Sequence, residues 1–236
     1  DLRIWVYIDT KTSENCVGLV VQPSMRALEM TQRVLQQTNR ESASTSHFLH
    51  EVVLEGSLER PLHHSELMLD VNLRWGSWSP EDRKNNALLL KKNSFYEEAL
   101  SRAIPPLNFY VEAHFGENRA RSKFNKYLFS MSNAKVTYYK IGGGTEMGSW
   151  PIEDLKWYMG SEERRKSPCK LNITFIEKDV PVCRSKERPY FGHTIAFEQA
   201  EDFISWIAAM LVAEHPNNVC VPASLILLEN NERKID

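Results

Sequence analysis

The stretch Phe203–His215 reads FISWIAAMLVAEH. Phe203, Trp206, Ile207, Met210 and Leu211 stand at i, i+3, i+4, i+7 and i+8, the spacing of one face of an α-helix. This predicts a helix over about Glu198–His215, stopped by Pro216. Working back from it, the pattern changes to period two. Strand candidates are Phe109–His114, Tyr127–Met131, Val136–Ile141, Gly148–Ile152, Leu171–Ile176 and His193–Phe197. Leu171, Ile173 and Phe175 alternate with Asn172 and Thr174, as in a strand buried on one face. Gly142-Gly143-Gly144 and polar turns separate the strands. Many strands followed by one amphipathic helix predict a strand-rich unit on which that helix packs, with Trp206 on the helix's apolar face.

The N-terminal part reads differently. Leu2, Ile4, Val6 and Ile8 alternate with Arg3, Trp5, Tyr7 and Asp9, which predicts a half-buried strand. Asp9–Asn15 has turn chemistry, and Cys16–Val21 resumes as a second strand. Pro23 and Ser24 then open a helix, with Ser24 as its N-cap and Met25, Leu28, Thr31, Gln32 and Leu35 along its inner stripe. Arg40–Ser46 reads as a polar loop. Strands follow at Phe48–Leu54 and Leu58–Leu62, a short helix at Ser65–Trp75, and a closing strand at Ala87–Lys91. The order β-β-α-β-β-α-β is that of a ubiquitin-like β-grasp fold, in which a helix lies across one mixed sheet. Asn93–Arg102 is expected to be helical and to end at Pro105-Pro106. The expected organisation is a β-grasp domain over residues 1–93, a linker over 94–106, a strand-rich domain over 107–216 whose outline resembles a PH barrel, and a tail over 217–236. In that tail Leu225–Leu228 is apolar enough to pack back on the body.

Composition narrows the function. Of 236 residues, 42% are apolar and 25% charged, so the chain is neither disordered nor built of bilayer spans. The opening Asp1-Leu2-Arg3-Ile4 does not read as a signal peptide. Lys plus Arg number 29 against 31 Asp plus Glu, a net charge of −2 that argues against broad nucleic-acid binding. Cys16, Cys169, Cys183 and Cys220 form no C-x-x-C pair and no zinc spacing, which reads as free thiols in a reducing, intracellular setting.

No catalytic motif stands out in the sequence. Gly142–Ser149 lacks the Lys of a phosphate-binding loop, since Ser149 follows Gly148, and reads as a hairpin turn. His63-His64 has no third ligand at metal spacing and reads as solvated; His193, between Gly192 and Thr194, reads as structural. No Gly-x-Ser-x-Gly or His-Glu-x-x-His appears. What remains is charge in particular places. Arg26 and Arg33 stand two helical turns apart, with Glu29 between them. Arg3 points outward from the first strand, and Lys11 lies in the following turn. Together they predict a positive edge able to steer an acidic partner. Arg119, Arg121, Lys123 and Lys126 cluster between the first two barrel strands, where they suit phosphates or an anionic leaflet. Arg164, Arg165 and Lys166 form a second basic group in a later loop, partly offset by Glu162 and Glu163.

Two blocks carry a resemblance. EVVLEGSLERPLHHSELMLDVNLRWGSW at Glu51–Trp78, followed by ALLLKK at Ala87–Lys92, resembles the second half of a Ras-association (RA) domain. FISWIAAMLVAEH resembles a PH C-terminal helix. An RA domain leading into a PH domain resembles the C-terminal end of the ARAP family, the Arf-GAP and Rho-GAP proteins with ankyrin repeats and PH domains. The same tandem occurs in the lamellipodin/RIAM and growth-factor-receptor-bound adaptor families. The resemblance implies an α+β fold, an RA domain and then a PH-like barrel capped by a helix. It also implies a non-catalytic, cofactor-free regulatory module whose parent's GAP domains lie outside this chain.

The implied partner is a GTP-loaded Ras- or Rap-like small GTPase, paired with the second strand and met by Arg3, Lys11, Arg26 and Arg33. That strand, Cys16–Gln22, carries no Lys or Arg, where a Ras binder usually has one. The PH resemblance implies contact with anionic membrane or phosphoinositide through Arg119, Arg121, Lys123 and Lys126. Asn125 stands where a headgroup-selective PH domain has Arg, which implies weak, charge-driven contact. The implied setting is cytoplasmic, at the membrane, cortex and cytoskeleton. The alternative is a protein-interaction scaffold that binds neither lipid nor Ras.

Overall fold

The computed structural model describes residues 2–40, 47–105, 107–178, 182 and 184–217. Residues 41–46, Cys183, Cys220 and the 218–236 part of the expected tail lie outside the described residues, and with them the readings placed there. The described residues divide into two compact units, one of residues up to Gly56 and Arg60–Glu97, the other of Ser57–Glu59 and the residues from Glu98 onward.

The first unit has β1 (Leu2–Ile8), β2 (Cys16–Val21), α1 (Ala27–Gln37), β3 (His47–Val53), β4 (Leu58–Pro61), α2 (Met68–Gly76), β5 (Ala87–Lys92) and the start of α3 (Ser94–Arg102). Its sheet runs β2-β1-β5-β3-β4, with β1 parallel to β5 and antiparallel to β2. That is the β-grasp arrangement expected from element order. Ile4, Val6 and Ile8 point to one face and meet Met30, Val34 and Leu35 of α1 in a single core with Leu88 and Leu90. On the other face, Tyr96 of α3 sits edge-on to Phe48 at 4.8 Å between ring centroids, so α3 covers part of the sheet within the 94–106 stretch.

Local readings shift at α1. The helix begins at Ala27, and Ser24 is not its cap; Arg26 occupies that position with no side-chain capping bond. The first-turn amides are instead satisfied by main-chain carbonyls far along the chain: Ala27 N–H donates to Glu66 O at 2.8 Å and Leu28 N–H to His64 O at 3.0 Å. Orphan helix donors need partners, and a tertiary loop supplies them here. The inner stripe is accordingly Ala27, Met30, Thr31, Val34 and Leu35, while Leu28 and Gln32 are half-buried. α2 starts at Met68, three residues later than expected from Ser65.

The second unit has β6 (Phe109–Gly116), β7 (Asn125–Ser132), β8 (Lys135–Tyr139), β9 (Glu146–Pro151), β10 (Leu155–Gly160), β11 (Leu171–Glu177), β12 (His193–Phe197) and α4 (Ala200–Glu214). The strands run in the order β10-β11-β12-β6-β7-β8-β9, antiparallel at each pairing. β10 was not among the expected strands. β8 ends at Tyr139, leaving Ile141 in the hairpin turn, where Gly142 and Gly144 take φ of 76° and 61°. Those left-handed values suit glycine and fit the turn reading of this segment. α4 meets the sheet with Phe203, Trp206, Ile207, Met210 and Leu211, all buried. Trp206 is fully buried, its ring 5.8 Å from Phe129 and 6.1 Å from both Phe109 and Phe197. No helix among the described residues is long and apolar enough to cross a membrane.

Candidate functional site

The first surface is the open side of the β-grasp sheet. Among the described residues β2 has a sheet neighbour on one side only, so its outer main-chain groups are available to an added strand. Arg3 lies on β1 opposite Val20, exposed and with no ion pair among the described residues. Arg33 is half-buried on α1 and bonds Glu29 at 2.7 Å. Both side chains of that i,i+4 pair stay 42% and 44% exposed, so it is worth little and Arg33 can exchange Glu29 for an outside acid.

Arg26 stands just before α1, and its guanidinium donates to Ser65 O. It therefore projects from the helix entrance and does not share the helical face of Arg33. Lys11 is exposed, but its ammonium donates to Asn85 O at 2.7 Å, and burial lowers its pKa against the opposing pull of Glu55. The structure thus keeps Arg3, Arg26 and Arg33 around β1, β2 and α1, and anchors Lys11 to the loop before β5.

A buried ion cluster holds the loop that feeds α1. Glu51 is fully buried and accepts from Arg60 at 3.0 and 3.1 Å, Arg74 at 2.7 Å and Trp75 Nε1 at 2.7 Å. Arg60 also donates to Glu66 at 2.7 and 2.8 Å. Burial alone pushes the Glu51 carboxyl up, but Arg60, Arg74 and the bonds from Arg74 and Trp75 outweigh it and hold the pKa below the usual value. Glu66, fixed in this way, presents the carbonyl that caps Ala27. His63 is buried against this loop, its Nδ1 at 2.7 Å from Ser65 Oγ, and is not the solvated histidine expected.

The second surface is the mouth of the barrel. The β6–β7 connection carries Arg119, Arg121 and Lys123, all exposed around a depression of about 410 Å³ that Glu117, Asn125 and Tyr127 also line. Arg119 bonds Glu117 at 3.0 Å but remains 76% exposed. Lys126 is not with them. Strand alternation turns it to the other face of β7 from Asn125 and Tyr127, where it meets Glu198 at 3.4 Å and Glu112 at 3.8 Å.

The later basic group divides as well. Arg164 pairs with Glu162 and donates to Pro189 O at 2.6 Å. Arg165 is buried, with its guanidinium 3.9 Å from the Tyr190 ring and 5.4 Å from Phe124. It also donates to Glu117 O at 2.7 Å, so it braces the basic loop and is not solvated.

His193 completes this mouth. Its Nδ1 accepts the Asn118 N–H at 3.1 Å, and Asn118 is itself bonded twice to the Tyr190 main chain. Burial, then the charges of Arg165, Arg119 and Arg188, lower its pKa to about 4. His193 is thus a neutral structural ring. Among the described residues no group of three His, Cys, Asp or Glu is arranged to hold a metal.

The family model described as the Ras association (RalGDS/AF-6) domain matches residues 1–95. Those residues are therefore similar to Ras association domains. Over nearly its whole length the chain resembles Arf-GAP with Rho-GAP domain, ANK repeat and PH domain-containing protein 3. It is 25% identical over 226 residues to the Mus musculus protein and 26% identical over 221 residues to the Homo sapiens protein. Protein 2 of the same name from Mus musculus is 22% identical over 229 residues. These alignments cover 94%, 91% and 94% of this chain but only 13–14% of the relatives, so the chain spans a small part of their length.

The fold also resembles the crystal structure of the coiled-coil, RA and PH domains of lamellipodin. The TM-score is 0.69 at 10% identity, covering 90% of this chain and 86% of that one. The chain therefore has the fold of a Ras association domain followed by a PH-like unit. Both are non-catalytic types of domain, and the fold expected from the sequence stands.

Neither Trp5 nor Gly18 stands out in the sequence beside the first surface, and Arg165 reads there only as part of a basic loop group. Trp5 and Gly18 lie on the outward face of β1 and β2, a position that the period-two pattern already assigned to Trp5. Arg165 gave no such signal, because its neighbours Phe124 and Tyr190 are distant in sequence.

Proposed function

We propose that this chain is the regulatory region of a larger GTPase-activating signalling protein and binds a GTP-loaded small GTPase of the Ras or Rap type. The observation that carries this reading is the unpaired edge of β2, with Arg3 on one face of its sheet and Arg26 and Arg33 on the helix side. An acidic effector strand added to β2 gains main-chain bonds, and the three guanidinium groups complement its charge. The PH-like unit adds a weak contact to anionic lipid through Arg119, Arg121 and Lys123. Two weak contacts on one chain reinforce each other by effective concentration, which would hold the parent protein at the membrane and cell cortex.

Reversing the charge tests this directly. Arg26→Glu with Arg33→Glu should abolish binding of GTP-analogue-loaded Ras or Rap in a calorimetric titration. The melting temperature should fall only slightly, from the lost Glu29 pair and the lost bond to Ser65 O. Unaltered binding by the double variant would remove this face as the docking surface.

A further inference from the structure

The outward face of the β1–β2 hairpin carries apolar side chains where solvent-facing polar ones are ordinary. Ile4, Val6 and Ile8 turn inward under α1, which leaves Arg3 and Trp5 on the opposite face. Register sets Trp5 across from Gly18, and Arg3 across from Val20. Trp5 is 50% exposed and Val20 42% exposed, side by side across the two strands. The rest of that face is covered: Tyr7 packs on Val52, Ala87 and Leu89, and Tyr96 covers Phe48 and His50.

Gly18 explains how Trp5 is held. A Cβ placed on Gly18 would lie 2.9 Å from the indole Cζ3 and 3.1 Å from Cη2. The indole therefore lies over β2 in the space a side chain at 18 would fill, and reaches from β1 toward the open edge of the sheet. A glycine inside a strand weakens it, so its presence marks a close approach. The group gaining that room is an indole, which ranks among the residues that most often dominate interface energies.

We propose that Trp5, seated on Gly18 and flanked by Val20 and Arg3, is the apolar anchor of a docking surface for the edge strand of a nucleotide-switched small GTPase. This rests on the docking reading above and adds the chemistry of the partner strand. A strand paired with β2 sends alternate side chains to this face. Those over Trp5 and Val20 are apolar, and the one beside Arg3, which has no ion pair among the described residues, is acidic. Charge complementarity with Arg3 and continuity with the open β2 edge single out this occupant.

The test uses the full chain with Ras and Rap loaded with a GTP analogue, and GDP-loaded forms as controls. Trp5→Ala should weaken binding at least about tenfold. Gly18→Val should weaken it comparably although Trp5 is present, because the indole is pushed off its seat. Leu73→Ala, an exposed apolar change on α2, should leave binding unaltered. Trp5 is also the most exposed of the six tryptophans, so acrylamide quenching of the wild-type chain reports chiefly on it and should fall when the complex forms.

Wild-type affinity in both Trp5→Ala and Gly18→Val, with binding lost in the Arg26→Glu and Arg33→Glu variant, would overturn the anchor and leave the docking reading standing. Absence of GTP-dependent binding by the wild-type chain would overturn both.

Discussion

Replacing His193 by Asn should flatten the acid dependence of the second unit. In the folded chain the His193 Nδ1 accepts the Asn118 amide, and Arg165, Arg119 and Arg188 oppose a second charge there. Its pKa is about 4 against an unperturbed 6.5. Between those values the unfolded chain binds a proton that the folded chain refuses, so stability rises with pH across that window and is lost on acidification from about 6.5 toward 4. A gap of about 2.5 units is worth roughly 3 kcal/mol at full extent. The substituted carboxamide offers its Oδ1 to the Asn118 N–H and takes up no proton, so that dependence disappears while the loop stays tied.

Urea melts from pH 4 to 7.5, read on the tryptophan fluorescence of Trp157 and Trp206, measure the difference between wild type and variant. NMR titration of the histidine Cε1–H resonances reads His193 itself. Parallel stability–pH curves, or a His193 resonance titrating near 6.5, would show that His193 carries no such proton linkage.

Three further outcomes follow from the same geometry. Glu51→Ala leaves Arg60 and Arg74 without their shared carboxylate and should cost about 3–5 kcal/mol in denaturant melts, with Glu51→Gln costing less. Because the Glu51 pKa is depressed, its contribution is present above about pH 4.5 and is lost as pH falls through the folded value, which melts in mild acid can follow. Arg121→Glu with Lys123→Glu should abolish sedimentation with phosphatidylserine vesicles at low salt. Lys126→Ala should leave it unchanged, because that ammonium faces Glu112 and Glu198. Trp206→Ala should destabilise the second unit by about 3–5 kcal/mol, since the ring fills the space among Phe109, Phe129 and Phe197.

Much of the fold was legible because its signals are local. The α4 spacing and the β1 alternation each report one buried face, and the structure buries those faces. β10 was illegible for the same reason. Trp157, Tyr158 and Met159 are all buried in sequence, so no alternation marks the strand. The start of α1 was misread because its amides are capped by the carbonyls of Glu66 and His64, a contact no local pattern carries. The candidate residues divide likewise. Arg3 and Arg33 sit where strand and helix periodicity put them, and the outward face of Lys126 follows from alternation with Asn125 and Tyr127. The burial of Arg165 against Tyr190, and of His63 beside the Glu51 cluster, depends on tertiary contacts alone.

The most direct measurement is a titration of the full chain against a panel of Ras-superfamily proteins, each loaded with a GTP analogue or with GDP. At least one Ras- or Rap-type member should bind in its GTP form, weaken by at least about tenfold in its GDP form, and lose affinity as salt is raised. Equal affinity for both nucleotide states, or binding by none of the panel at low salt, would contradict that expectation.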